Sequence, residues 1–191
     1  MKNQFLLIAL AAGLLAACST APTVTSTPTP KFPPLLPAPT TFSADNLKAP
    51  AGQVLAFEMA ANGVQIYDCK ASKDEAKKFE WVFRAPEADL LDGSGAKIGK
   101  HYAGPTWEAR DGSKVVGEVV AKNDGPDANA IPWLLLKAKS STGSGKFAGV
   151  TSIQRVATVG GKAPVKGCSD FQIGAESRVQ YKATYNFYKA N

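Results

Sequence analysis

The side chains of this sequence that could take part in chemistry are one histidine, three cysteines and a set of carboxylates. His101 is the only imidazole, so any Ser-His-Asp arrangement would have to use it. A zinc site would likewise have to be mostly carboxylate or thiolate. No Gly-x-Ser-x-Gly elbow is present, and Gly93-Ser94-Gly95 reads as part of a turn, so acyl transfer has little support. Glu87, Asp89 and Asp92 look like a solvated turn rather than the opposed acids of sugar hydrolysis. The segment Asn123-Asp124-Gly125-Pro126-Asp127-Ala128-Asn129 offers several oxygen ligands. It lacks the alternating Asp order and the closing Glu of a calcium loop, and reads as an Asx-rich turn. No catalytic residue, metal ligand or cofactor is assigned. Two readings of His101 remain: a strand-end histidine donating to a backbone carbonyl, or a functional group. On the second, Gly104-Pro105 forces a turn that sets His101 and Trp107 on either side of it, bordering one concavity. Binding there would follow pH near neutrality.

The cysteines divide by context. Lys2 gives a positive start, Phe5 to Leu15 an uncharged apolar run, and Leu15-Ala16-Ala17 leads straight into Cys18. That layout is a secretory signal, and a cysteine at its cleavage point makes it a lipobox. The run is shorter than the ~20 residues needed to span a bilayer. Cys18 is therefore expected to carry the acyl chains, which hold a protein durably when two or more are present. Ser19 in place of Asp resembles the sorting signal for the outer membrane. Cys69 and Cys168 remain, far apart and without a Cys-x-x-Cys motif. In an oxidising periplasm they are expected to form a structural disulfide.

Residues 1–17 thus read as a lipoprotein signal peptide, 18–45 as lipidated cysteine and tether, and 46–191 as a single β domain. The tether is rich in Pro and Thr, which favours extended polyproline II. Phe32, Leu35 and Leu36 within it could dock back on the domain. The net charge of +6 is scattered, with Lys77-Lys78 the only adjacent basic pair, so no nucleic-acid surface is indicated. The excess suits solubility or weak contact with anionic envelope surfaces.

The elements that must position these residues are β almost throughout. Val54 to Met59 and Val64 to Cys69 flank Asn62-Gly63, which predicts a hairpin with a type I′ turn. Phe79, Trp81 and Phe83 alternate on one strand face. Asp92-Gly93-Ser94-Gly95 and Asp111-Gly112 make turns, the second closing a hairpin from Trp107 to Ala121. Trp133 to Ala138 enters the core, Ser140 to Gly145 is a loop, and Val150 to Val159 alternates before Gly160-Gly161. Tyr181, Ala183, Tyr185 and Phe187 alternate in the last strand. Ser72 to Lys78 is the sole helical candidate, with Ser72 as cap and Glu75 three residues on. The expectation is an all-β antiparallel sandwich or flattened barrel of about nine short strands with at most one short helix.

The densest distinctive run is Gly99-Lys100-His101-Tyr102-Ala103-Gly104-Pro105-Thr106-Trp107. With Val64-Gln65-Ile66-Tyr67-Asp68-Cys69 before it and Ile131-Pro132-Trp133-Leu134-Leu135 after, it resembles a bacterial and fungal family of exported proteins, domain-of-unknown-function family 3455. The resemblance covers about residues 46–191 and implies export, with no activity and no catalytic residues to carry over.

The resulting expectation is an envelope lipoprotein, outer-membrane and periplasm-facing, acting as a non-enzymatic binding or scaffolding module. Its partners are the membrane, through the lipid anchor, and an envelope small molecule, glycan or protein. His101, Tyr102, Trp107 and Trp133 are the candidate ligand-binding residues, since aromatics with few polar groups suit a sandwich-end pocket or barrel mouth. Two alternatives stand beside it: a structural accessory whose aromatics are core, and a hydrolase-like enzyme using His101 and a nearby carboxylate.

Overall fold

Period-two alternation runs through residues 44–191, the part of the chain that this computed structural model describes, and it folds into one closed antiparallel barrel. The eight strands are β1 (Gln53–Ala71), β2 (Phe79–Leu91), β3 (Lys97–Tyr102), β4 (Thr106–Ala109), β5 (Lys114–Asn123), β6 (Trp133–Thr142), β7 (Val150–Gly160) and β8 (Glu176–Ala190). Each pairs with the next in sequence, and β8 returns to β1, so the sheet has no free edge. The expected signal peptide, the expected lipidation at Cys18 and most of the expected tether fall on residues 1–43, outside the described residues.

Of the expected antiparallel sandwich or flattened barrel the barrel is present, and three details differ. Eight strands are present rather than about nine, and β1, β2 and β8 are long, at 19, 13 and 15 residues. The merger of two expected strands into β1 accounts for the count. Asn62-Gly63 is no hairpin turn but mid-strand, paired to Asp89 and Ala88 on one side and to Lys182 and Tyr181 on the other. Gly63 serves close approach instead of positive φ. A Cβ there would lie 2.1 Å from the Glu87 carbonyl oxygen and 2.5 Å from the Ala88 Cβ. The helix expected over Ser72 to Lys78 is a bend and turn closed by Ser72 N–H to Lys78 O, 2.8 Å. The only described helical elements are two three-residue 3-10 turns, Asp45–Leu47 and Asp170–Gln172.

The turns at Asp92 and Asp111 form and use one device. Each carboxylate Oδ1 accepts the Ser N–H two residues on at 2.9 Å and the same serine's hydroxyl at 2.6 Å. The Asn123–Asn129 stretch is likewise Asx-turned, with Asn123 Oδ1 accepting from Gly125 N–H and Asp127 Oδ1 from Asn129 N–H.

Pairing register defines the barrel's interior. Tyr181, Gly63, Ala88, His101, Trp107 and Val115 stand opposite one another across six strands as one inward row. The next inward residues of β8, Ala183, Tyr185 and Phe187, complete the core with Phe147, Met59 and Leu90. Rings pack edge to face through it: Trp107 lies 5.3 Å from Tyr185 and 6.1 Å from Phe187 between centroids. Gly117 makes room for Trp107, because a Cβ there would come within 2.9 Å of the indole. The interior is therefore filled with side chains, as in small barrels generally.

The outer wall has its own layer. Val64 and Ile66 point away from the core yet are buried, under a chain of ion pairs. In it Arg178 joins Glu87 (2.9 Å) and Glu176 (3.1 Å), while Arg84 joins Glu176 and Asp68. On β6, Leu134 and Leu136 pack inward, whereas Trp133 and Leu135 face out and are covered by Leu47 and Ala44. Gln154 Nε2 donates to Leu47 O at 2.5 Å and Asn46 Nδ2 to Lys122 O at 2.9 Å, so residues 44–47 form a strap on the wall.

Candidate functional site

His101 is set by the β3–β4 hairpin, where it faces Trp107 directly in register. Gly104, at φ 129°, closes that hairpin with Pro105, so the expected juxtaposition of His101 and Trp107 is present. Its character is different from a concavity's rim. The two rings stack at 4.5 Å and 15°, Tyr185 meets His101 edge-on at 5.1 Å, and both residues are buried, at 2% and 1% exposure. His101 Nδ1–H donates to Thr106 O at 2.8 Å, since a carbonyl can only accept. This is the backbone-donating strand-end histidine. Burial pushes its pKa down to about 3, and the Arg155 guanidinium adds to the fall against the opposing pull of the Thr106 bond. Burial thus holds the ring in its neutral form near neutral pH, which gives no support to the expectation of binding that follows imidazole titration in that range.

Tyr102, the next residue, faces outward. Its hydroxyl donates to Glu108 Oε2 at 2.7 Å, and Lys114 and Lys100 stand 3.3 and 3.5 Å from the same carboxylate. The Tyr102 bond, more than the lysines, holds the Glu108 carboxyl below its ordinary range, and Glu108 in turn raises the phenol. An outward row beside the inward one runs Lys182, Asn62, Asp89, Lys100, Glu108, Lys114 across neighbouring strands, with charges alternating from Asp89 onward.

Trp133 is not brought to His101. It lies on the outer face of β6 under the Leu47 strap, on the opposite side of the barrel wall from the core that holds Trp107. Of the four candidate residues, His101 and Trp107 share one packed core site, Tyr102 stands on the outer wall above them, and Trp133 belongs to a separate cluster.

A hollow of about 400 Å³ opens on the outer wall where β8, β1, β2 and β3 run side by side. Tyr102 and Lys100 line it from β3, Asp89 and Glu87 from β2, Asn62 from β1, and Arg178 and Gln180 from β8. His101 also borders it, at the foot of β3's outward residues. The small inward residues Gly63 and Ala88 lie at its base. It presents a phenol face, two amides and charges already paired, Arg178 with Glu87 and Lys97 with Asp89. Such a surface can hydrogen-bond a polar ligand without leaving a lone charge behind. Sequence reading missed the β1, β2 and β8 members. They are outward positions on strands whose pairing the local turn signal of Asn62-Gly63 obscures.

Arg155 is a further residue without a sequence signal. It stands opposite Tyr185 in register and donates through Nε (3.0 Å) and Nη2 (2.8 Å) to Pro132 O. Burial raises the Tyr185, Tyr181 and Tyr67 phenols, and Arg155 opposes each rise, so this end of the core holds neutral hydroxyls around one cation. Among the described residues no cluster of His, Cys, Asp and Glu could hold a metal ion.

Cys69 and Cys168 are joined, with S–S 2.01 Å and Cα–Cα 6.0 Å across a sequence separation of 99. The chain matches, over residues 50–189, the family described as protein of unknown function (DUF3455), and it belongs to that family. No curated protein and no solved structure gives a match.

Proposed function

We propose that this family member is a non-enzymatic binding module of the bacterial envelope, held by a lipidated Cys18 to the outer membrane and facing the periplasm. Its ligand face is the hollow on the β8-β1-β2-β3 wall, and its ligand a polar envelope molecule such as a glycan. The observation that carries the reading is that hollow: a phenol face beside two amides and paired charges, on four strands of a closed barrel. Rigid strands hold such groups more precisely than loops do. The hydrolase-like alternative loses support because His101 has its Nδ1 committed, its ring stacked and its basicity suppressed.

Two measurements test the proposal separately. Cys18→Ala is expected to abolish acyl labelling and release the protein from the membrane fraction; unchanged labelling would remove the anchor. Soluble peptidoglycan fragments and lipopolysaccharide core oligosaccharides, titrated into the protein, are expected to include a binder whose affinity drops about tenfold in Tyr102→Ala, the effect of truncating one aromatic contact. Melting should stay close to that of the parent, because Tyr102 is outside the core cluster. Equal binding by parent and variant would leave the structural accessory as the reading.

A further inference from the structure

The barrel ends differ. At one lie the turns at Asp92 and Asp111 and the 143–149 loop; at the other lie the 72–78 and 124–132 loops and the long β7–β8 connection, residues 161–175. That connection carries Val165 and Phe171, almost wholly exposed at 104% and 96%, and Ile173 at 60%. Large apolar side chains this exposed on one short segment call for a partner surface. The segment is also held firmly. Cys168 is tied to Cys69, Cys69 N–H donates to Ala175 O at 2.9 Å, and Gly174 N–H to Cys69 O at 3.0 Å. Ser169 and Gln172 close a capping box around the turn that bears Phe171. The tip is thus built to hold its apolar residues out in water.

We propose that this end of the barrel docks on a bilayer surface bearing anionic headgroups, with Phe171, Val165 and Ile173 entering the interfacial layer. The charge beside the tip chooses that occupant. The loops at 72–78 and 161–175, the two beside the Cys69–Cys168 bond, carry five lysines against three acidic residues, whereas Asp124 and Asp127 lie in the separate 124–132 loop, and Lys73, Lys77 and Lys166 enter no ion pair among the described residues. Lysines around an apolar tip are the complement of an anionic lipid surface. The inference takes from the lipoprotein reading only the presence of a membrane, and its test does not depend on acylation.

The full chain carrying Cys18→Ala is mixed with vesicles of phosphatidylethanolamine and phosphatidylglycerol, or of phosphatidylcholine alone, and sedimented. Binding to the anionic vesicles is expected, weaker by about tenfold in Phe171→Ser and reduced also in Val165→Ser, as removal of one buried apolar side chain predicts. Both variants should melt with the parent, since neither side chain is packed. No binding by the Cys18→Ala chain, or equal binding by parent and tip variants, overturns the proposal. So does capture of a protein partner through Phe171 when vesicles are not bound. Acyl labelling of Cys18 reports separately on the anchor.

Discussion

Acidification is expected to destabilise this barrel steeply well above the range where its carboxylates protonate, and His101→Phe to flatten that dependence. The imidazole has an ordinary pKa of 6.5 and is pushed down to about 3 in the folded core. Between those values the unfolded chain binds a proton that the folded chain does not. Stability is therefore complete above pH 6.5 and is lost as pH falls toward 3. Each unit crossed is worth about 1.4 kcal/mol, so the loss by pH 4 is on the order of 3 kcal/mol. Asp92, Asp111, Glu108 and Glu176, all lowered by hydrogen bonds to their charged forms, act in the same direction but only below the ordinary carboxylate range. The interval between pH 6.5 and 5 thus isolates His101. Phenylalanine keeps a ring against Trp107 but gives up the bond to Thr106 O, at about 1 kcal/mol, so the variant should be weaker at neutral pH and flatter below it. Urea midpoints at a series of pH values check this. An unchanged slope in that interval would mean that the histidine is not the group held neutral.

What the sequence disclosed about this fold follows from which devices are local. The alternation of Tyr181, Ala183, Tyr185 and Phe187 marks an inward face whatever the strand pairs with, and all four are buried in the core. Asp92-Gly93-Ser94 and Asp111-Gly112-Ser113 turn the chain through their own side chains, so their role is written within three residues. Asn62-Gly63 has the same local look but serves a distant need. Gly63 is small because Glu87 and Ala88 press on it, and that pressure depends on pairing between β1 and β2. Trp133 shows a related limit. Its strand was legible, but its face depends on register shifts at Val116/Gly117 and Val119/Ala121 and on cover from Leu47, some 86 residues away. The site suffered most from this. Tyr102 and His101 stand out as unusual residues, yet adjacent strand positions point to opposite sides of the wall, so only Tyr102 turns its side chain to the outer face that carries Asn62, Asp89 and Gln180. The apolar tip gives no sequence signal, because Val165, Phe171 and Ile173 sit in a stretch with no period to read.

Removing the disulfide is expected to have the other large effect. Cys69→Ala with Cys168→Ala should lower stability by ~2–5 kcal/mol, near the ceiling of about 4.7 kcal/mol that chain entropy allows for a closed loop of this order. The separation of 99 residues encloses β2 to β7, so the crosslink restricts the unfolded chain across most of the barrel. Cys69 is 1% exposed, and alanine there leaves only a small void, so the loss should come mainly from the freed unfolded state. Local consequences should be uneven. Ala175 and Gly174 keep their backbone bonds to Cys69's position, whereas residues 161–168 lose their covalent tie. Hydrogen exchange should accordingly rise in the first half of the β7–β8 connection more than in the second, with β8 itself little changed. Non-reduced peptide mapping of the protein should recover the 69–168 link, and denaturant melts of the double variant should show the stability loss. Two free thiols, or a variant as stable as its parent, would contradict the bond's role. If the tip docks on lipid, the same variant should also bind anionic vesicles more weakly while its barrel remains folded, because a loosened segment must be ordered again before Val165 and Phe171 can enter the interface.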